Sequence, residues 1–229
     1  MDDMDDMDVM DDANDDASDG PGTGRAAAVV LAGHTGDLAA ATAAVTSDDP
    51  DVRVAALGAL ERLGALGVDR LASALDDPTS SVRRRAAELA AHHRDVDLTG
   101  ALDDPDPGVV EMAAWACGEH ETVSDAVLDR LGALATTSDE VLVRESAAAA
   151  LGAIGDERGL PAILTACADK PTVRRRAVLA LAPFLDDERV RAALAAAVDD
   201  RDWQVRQAAE DLVRAERGTT WDDTGTTRG

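Results

Sequence analysis

Few side chains in this 229-residue chain could do chemistry, and their spacing argues against it. Four histidines (His34, His92, His93, His120) and two cysteines (Cys117, Cys167) are the candidate metal ligands and nucleophiles. A metal site needs several such ligands to converge, and these are scattered. Two cysteines are too few for a disulfide framework or a four-cysteine zinc site. Each falls on an apolar helix face, so both read as small buried hydrophobes. His92 and His93 close a helix, where imidazoles meet terminal carbonyls. GALG (64–67) and GAIG (152–155) read as helix ends with left-handed glycine caps, not as phosphate loops. No catalytic residue, metal or cofactor is assigned.

What positions these residues is an internal repeat. Valines recur at Val52, Val82, Val109, Val143, Val173 and Val205, spaced 30, 27, 34, 30 and 32 apart. Four residues after each stands an alanine: Ala56, Ala86, Ala113, Ala147, Ala177 and Ala209. Eight after it stands Leu60, Ala90, Cys117, Leu151, Leu181 or Val213. Offsets of four and eight share one helical face. Asp-Pro steps ahead of several valines stop one helix and start another, because proline lacks an N–H and disfavours helix before it. A shorter apolar helix precedes each: Leu38–Val45, Val68–Leu75, Leu98–Leu102, Val123–Leu134, Leu160–Cys167 and Val190–Val198. One such hairpin cannot bury both faces, so successive hairpins must stack. The fold class expected is all-α, a solenoid of about six helical hairpins.

The unit, of the type DDP-x-VR-x-x-A-x-x-L-G, resembles the HEAT repeat in its short phycobilisome-lyase-like form, over residues 36–217. Ala26–Ala32 would add a partial capping helix. The chain's composition, 35 Asp and 11 Glu against 21 Arg and a single Lys, further resembles that of proteins from halophilic archaea. The repeat resemblance implies that the arginine after the valine (Arg53, Arg83, Arg144, Arg174, Arg206, with Val110 the exception) is structural. It would pair with a loop aspartate of a neighbouring unit, such as Asp49, Asp77 or Asp169. The resemblance also puts the second helices on an inner, concave wall. Residues two and six past the valine lie about 200° and 240° around the helix from it, so they should face that wall. They include Arg84, Glu111, Glu145, Arg175, Trp115 and Leu179, the expected partner-binding residues. Trp115 stands out, because exposed aromatics anchor interfaces. Trp203 reads as a loop cap.

HEAT-type hydroxylases carry repeated His-Glu pairs at the start of second helices. Here those positions hold Arg-Val, Arg-Arg, Val-Glu, Arg-Glu, Arg-Arg and Arg-Gln. Only Glu119-His120-Glu121 offers such a pair, after a helix rather than at its start.

Charge narrows the partners. The chain has 35 Asp and 11 Glu against 21 Arg and one Lys, a formal charge of −24. Strong salt screens such self-repulsion, and net charge then keeps a protein soluble. The same charge opposes DNA and anionic membranes, and the inner strip is mixed in sign, not a basic stripe. No apolar run approaches the roughly 20 residues of a membrane span. The start, MDDMDDMDVM, lacks signal-peptide features, so the chain reads as cytoplasmic. With 47 alanines and no tyrosine, the composition favours close-packed helices. Residues 1–24, with ten aspartates, form an acidic tail expected to be disordered, 25–217 the solenoid, and 218–229 a flexible second tail. The expected function is a non-enzymatic scaffold binding a protein partner on the concave wall. The alternative is a lyase- or hydroxylase-like enzyme of the same superfamily.

Overall fold

The computed structural model describes residues 21–219. Residues 1–20 and 220–229, where most of both expected tails fall, lie outside the described residues. Twelve α-helices follow one another, with no strand among the described residues. The first helix, α1 (Pro21–Thr35), starts inside the expected N-terminal tail. Six units follow. The second helices are α3 (Pro50–Arg62), α5 (Ser80–Ala90), α6 (Pro107–Gly118), α8 (Val141–Ile154), α10 (Pro171–Ala180) and α12 (Trp203–Thr219). The first helices are α2 (Leu38–Ala44), α4 (Val68–Leu75), α7 (Asp125–Thr137), α9 (Leu160–Ala166) and α11 (Glu188–Ala197).

The third unit departs from expectation. Its first helix, read at Leu98–Leu102, is only a 3₁₀ turn at Ala101–Asp103. Thr99 and Gly100 interrupt the apolar run, and Asp104-Pro105 ends it, so too few residues remain to nucleate an α-helix. Val96, Leu98, Ala101 and Leu102 still bury their side chains.

Stacking is sequential. Each second helix packs on the next, α1 on α3 through to α10 on α12, and each first helix packs on the second helix of its own unit. The valine–alanine seam is the core of every joint. All six valines are at most 3% exposed, and all six alanines are fully buried. Alanine at this offset lets the backbones approach. The tightest approaches need glycine: a Cβ on Gly152 would stand 2.6 Å from Ala180 Cα, and one on Gly33 2.8 Å from Ala59 Cα. Of the two motifs read as helix ends, only Gly64 and Gly155 take positive φ. Gly152 lies inside α8, and Gly67 precedes α4 as its N-cap.

Candidate functional site

The arginine after the valine works in two directions. Arg53 Nε and Nη2 donate to the two carboxylate oxygens of Asp77, both at 2.8 Å. Arg83 grips Asp104 in the same fork, Arg144 grips Asp169, and Arg174 grips Asp200, at 2.6–3.0 Å. The remaining Nη1 turns back to carbonyls of the arginine's own loop, as in Arg83 to Asp77 O at 2.9 Å. Arg206 makes only this backward bond among the described residues, to Asp200 O at 2.7 Å. Each aspartate also braces its own turn: Asp77 accepts from Thr79 N–H, Asp104 from Asp106 and Asp200 from Asp202.

Asp49 is not part of this ladder. Its carboxylate accepts from Asp51 N–H and caps α3. The loops carry aspartate in two registers. Asp77, Asp104 and Asp200 stand five residues before the valine and receive an arginine. Asp49, Asp106 and Asp202 stand three before it and cap the helix. Asp169, in a loop one residue shorter, stands four before it and still receives Arg144. Asp104 and Asp200 were missed, and comparing the loops at minus five would have found them. The rung is absent at one joint, on both sides: Val110 replaces the arginine, and Ser138 holds the aspartate position of the next loop.

These bonds shift the acids. The arginine fork holds Asp104, Asp169 and Asp200 below the usual carboxylate value. At Asp77 burial pushes the other way, and the bonds from Arg53 and Thr79 outweigh it.

The chemical candidates are dispersed. Burial pushes the Cys117 thiol up to about 12 and Cys167 up to about 11, far from a reactive thiolate. His93 does not meet a helix-terminal carbonyl; its Nε2 lies 2.7 Å from Glu61 of the preceding unit. It is the buried His120 that meets one, Ala90 O at 2.9 Å. Among the described residues no three His, Cys, Asp or Glu side chains are placed to hold a metal ion.

The wall of second helices carries two grooves with exposed aromatic groups. Between α6 and α8, Glu111, Trp115, Glu119, Leu142, Glu145 and Arg176 line a groove of about 470 Å³. Trp115 is 41% exposed and Leu142 59%. Between α10 and α12, Arg175, Leu179, Trp203, Gln207 and Asp211 line a smaller one. Trp203, read from sequence as a loop cap, opens α12 and is 64% exposed. Arg84 lines a separate depression beside α5 with Arg85 and Glu88. The expected partner-binding residues are therefore divided among three places. Leu142 and Trp203 were missed because each precedes its valine, outside the two offsets read as the wall.

Comparison with known proteins identifies the frame. A family model described as HEAT repeats matches residues 68–152, 96–182 and 128–214. The chain belongs to the HEAT-repeat family. No curated protein matches the HEAT-repeat chain. Among solved structures, a designed armadillo repeat protein in complex with peptide (KR)4 is similar at TM-score 0.57 and 17% identity, covering 76% of this chain and 97% of that one. An engineered protein is similar at TM-score 0.58 and 19% identity, covering 76% and 96%. At these identities the likeness speaks for the fold alone. The complex of CpcE and CpcF of phycocyanin lyase from Nostoc sp. PCC7120 is similar at TM-score 0.54 and 25% identity, covering 74% and 73%. No described helix is long and apolar enough to cross a membrane.

Proposed function

We propose that this HEAT-repeat chain is a non-enzymatic scaffold that binds a protein partner on its wall of second helices. The observation that carries this reading is the exposure of Trp115 and Leu142 in one groove of that wall. Exposed aromatics in a preformed groove are the usual anchors of an interface. Close packing of α6 on α8 along the seam holds the groove in place, so little ordering entropy is lost on binding. The charge of −24 makes nucleic acid and anionic membrane poor partners. Cytoplasmic residence in strong salt, as in halophilic archaea, belongs to the same reading.

The test is capture of a partner from native extract at high salt, identified and then re-bound as a purified protein. Trp115→Ala should abolish re-binding. Unchanged binding would count against this wall. A second reading, a subunit of a chromophore lyase, is favoured by the 25% identity with the phycocyanin lyase complex. Bilin transfer to an acceptor protein in an assay would support it.

A further inference from the structure

The α6–α8 groove differs from the equivalent space two joints earlier in what fills it. Between α3 and α5, Arg85 lies over Gly58, its Nη2 3.0 Å from where a Cβ would stand. Its Nη1 pairs with Glu88 at 2.7 Å. That space is occupied and its charge is matched. On α6 the position of Gly58 is held by Trp115, and on α8 the position of Arg85 is held by Ser146, both three or six residues past their valines as before. A serine is too short to cover the tryptophan, so the groove stays open. Glu111, Glu119 and Glu145 rim it, and none has an ion-pair or hydrogen-bond partner for its carboxylate among the described residues. Arg176 alone opposes them. Ala149, Ala150 and Ala153 give an apolar floor.

A half-exposed indole and a leucine beside unmatched carboxylates suit one chemistry: an aliphatic stem that ends in a cation. The stem covers the apolar surface, the cation meets the indole face and the carboxylates, and no buried charge is left unpaired. We infer that this groove receives a lysine or arginine from a basic segment of the protein partner. The inference rests on the scaffold reading and adds the partner's chemistry to it. The α10–α12 groove gives no such preference, because Arg175 and Asp211 balance there.

The probe is an octapeptide alternating Lys and Leu, with one alternating Glu and Leu as comparator. The full chain carries Trp203→Phe and Trp221→Phe, leaving Trp115 as the sole indole. The basic peptide should change Trp115 emission saturably, and the acidic one should not. Joint Glu111→Gln and Glu145→Gln should weaken the basic peptide about tenfold, while Glu188→Gln on α11 leaves it unchanged. Circular dichroism checks that each variant folds. Equal binding of both peptides, equal binding by the double Gln variant, or no binding would overturn the inference. If the basic peptide fails while a purified partner still requires Trp115, the partner chemistry is wrong and the scaffold reading stands. If partner binding ignores Trp115→Ala, the scaffold reading itself fails.

Discussion

Arg174 and Asp200 show what one rung does. Their side chains are only 7% and 16% exposed, and the fork is bidentate. Removing one partner leaves the other charge desolvated and unpaired, which is far costlier than losing a surface pair. Arg174→Ala should therefore cost about 3 kcal/mol of unfolding free energy. Arg158→Ala should cost far less, because that side chain is 57% exposed where it meets Asp125 and Asp156. Denaturant titration of both variants checks the contrast. The pH dependence follows from the same rungs. The folded values of Asp77, Asp104, Asp169 and Asp200 lie below the ordinary 3.8. A depressed folded value means the unfolded chain binds protons first as pH falls. The stability from these acids is thus full above the ordinary carboxylate range and is lost as pH drops through their lower folded values. Below about pH 4 the denaturation midpoint should fall, and Asp104→Asn should flatten that slope. A midpoint that holds steady down to pH 2 would contradict the ladder's weight.

Elements meet through backbone approach and through rungs, and the two can be tested separately. Gly152 lies where a Cβ would sit 2.5 Å from Ala180 Cβ and 2.8 Å from Ala180 O. Gly152→Ala should force α8 from α10 and cost roughly 1–3 kcal/mol. Gly132 lies inside α7, and a Cβ there meets nothing nearer than Ala162 Cβ at 3.8 Å. Gly132→Ala should instead stabilise by roughly 0.5–1 kcal/mol through helix propensity. Thermal melts of the pair decide it. At the joint without a rung, Val110→Arg alone should destabilise, because the next loop offers Ser138 rather than a carboxylate. Adding Ser138→Asp should recover part of the loss, with a coupling of roughly 1–3 kcal/mol in a double-mutant cycle. Purely additive effects would show that the joint has lost ladder geometry.

The sequence carried the seam because size and period alone define it: a valine and an alanine four apart, six times over, can only face a neighbour. It did not separate the two aspartate registers, since Asp48-Asp49-Pro50 and Asp76-Asp77-Pro78 look alike. In one the proline opens the helix; in the other Thr79 intervenes between the proline and the helix as its N-cap. Nor did it show why Gly152 must be glycine, since its neighbour Ala180 lies in the next unit. Arg84, Trp115 and Arg175 were picked by angle around a helix. Which groove each lines depends on how helices sit side by side, and one chain's periodicity does not encode that.

Across the molecule, charge and shape act together. A chain of charge −24 repels itself wherever salt is dilute, since the Debye length grows from about 3 Å at 1 M to about 10 Å at 0.1 M. The helical signal should therefore weaken below roughly 0.5 M salt and recover in concentrated KCl. A flat signal across that range would defeat the strong-salt reading while leaving the fold untouched. Shape is the larger commitment. A solenoid of sequential contacts offers two long walls, and the proposed partner occupies the one made by the second helices. Site-specific photocrosslinking reads this directly. A benzophenone side chain is placed at Leu142 or Gln207 on the second helices, or at Ala72 or Thr165 on the first, all four exposed. With the purified partner, adducts should form from 142 and 207 and not from 72 and 165. Adducts confined to 72 and 165 would contradict the account.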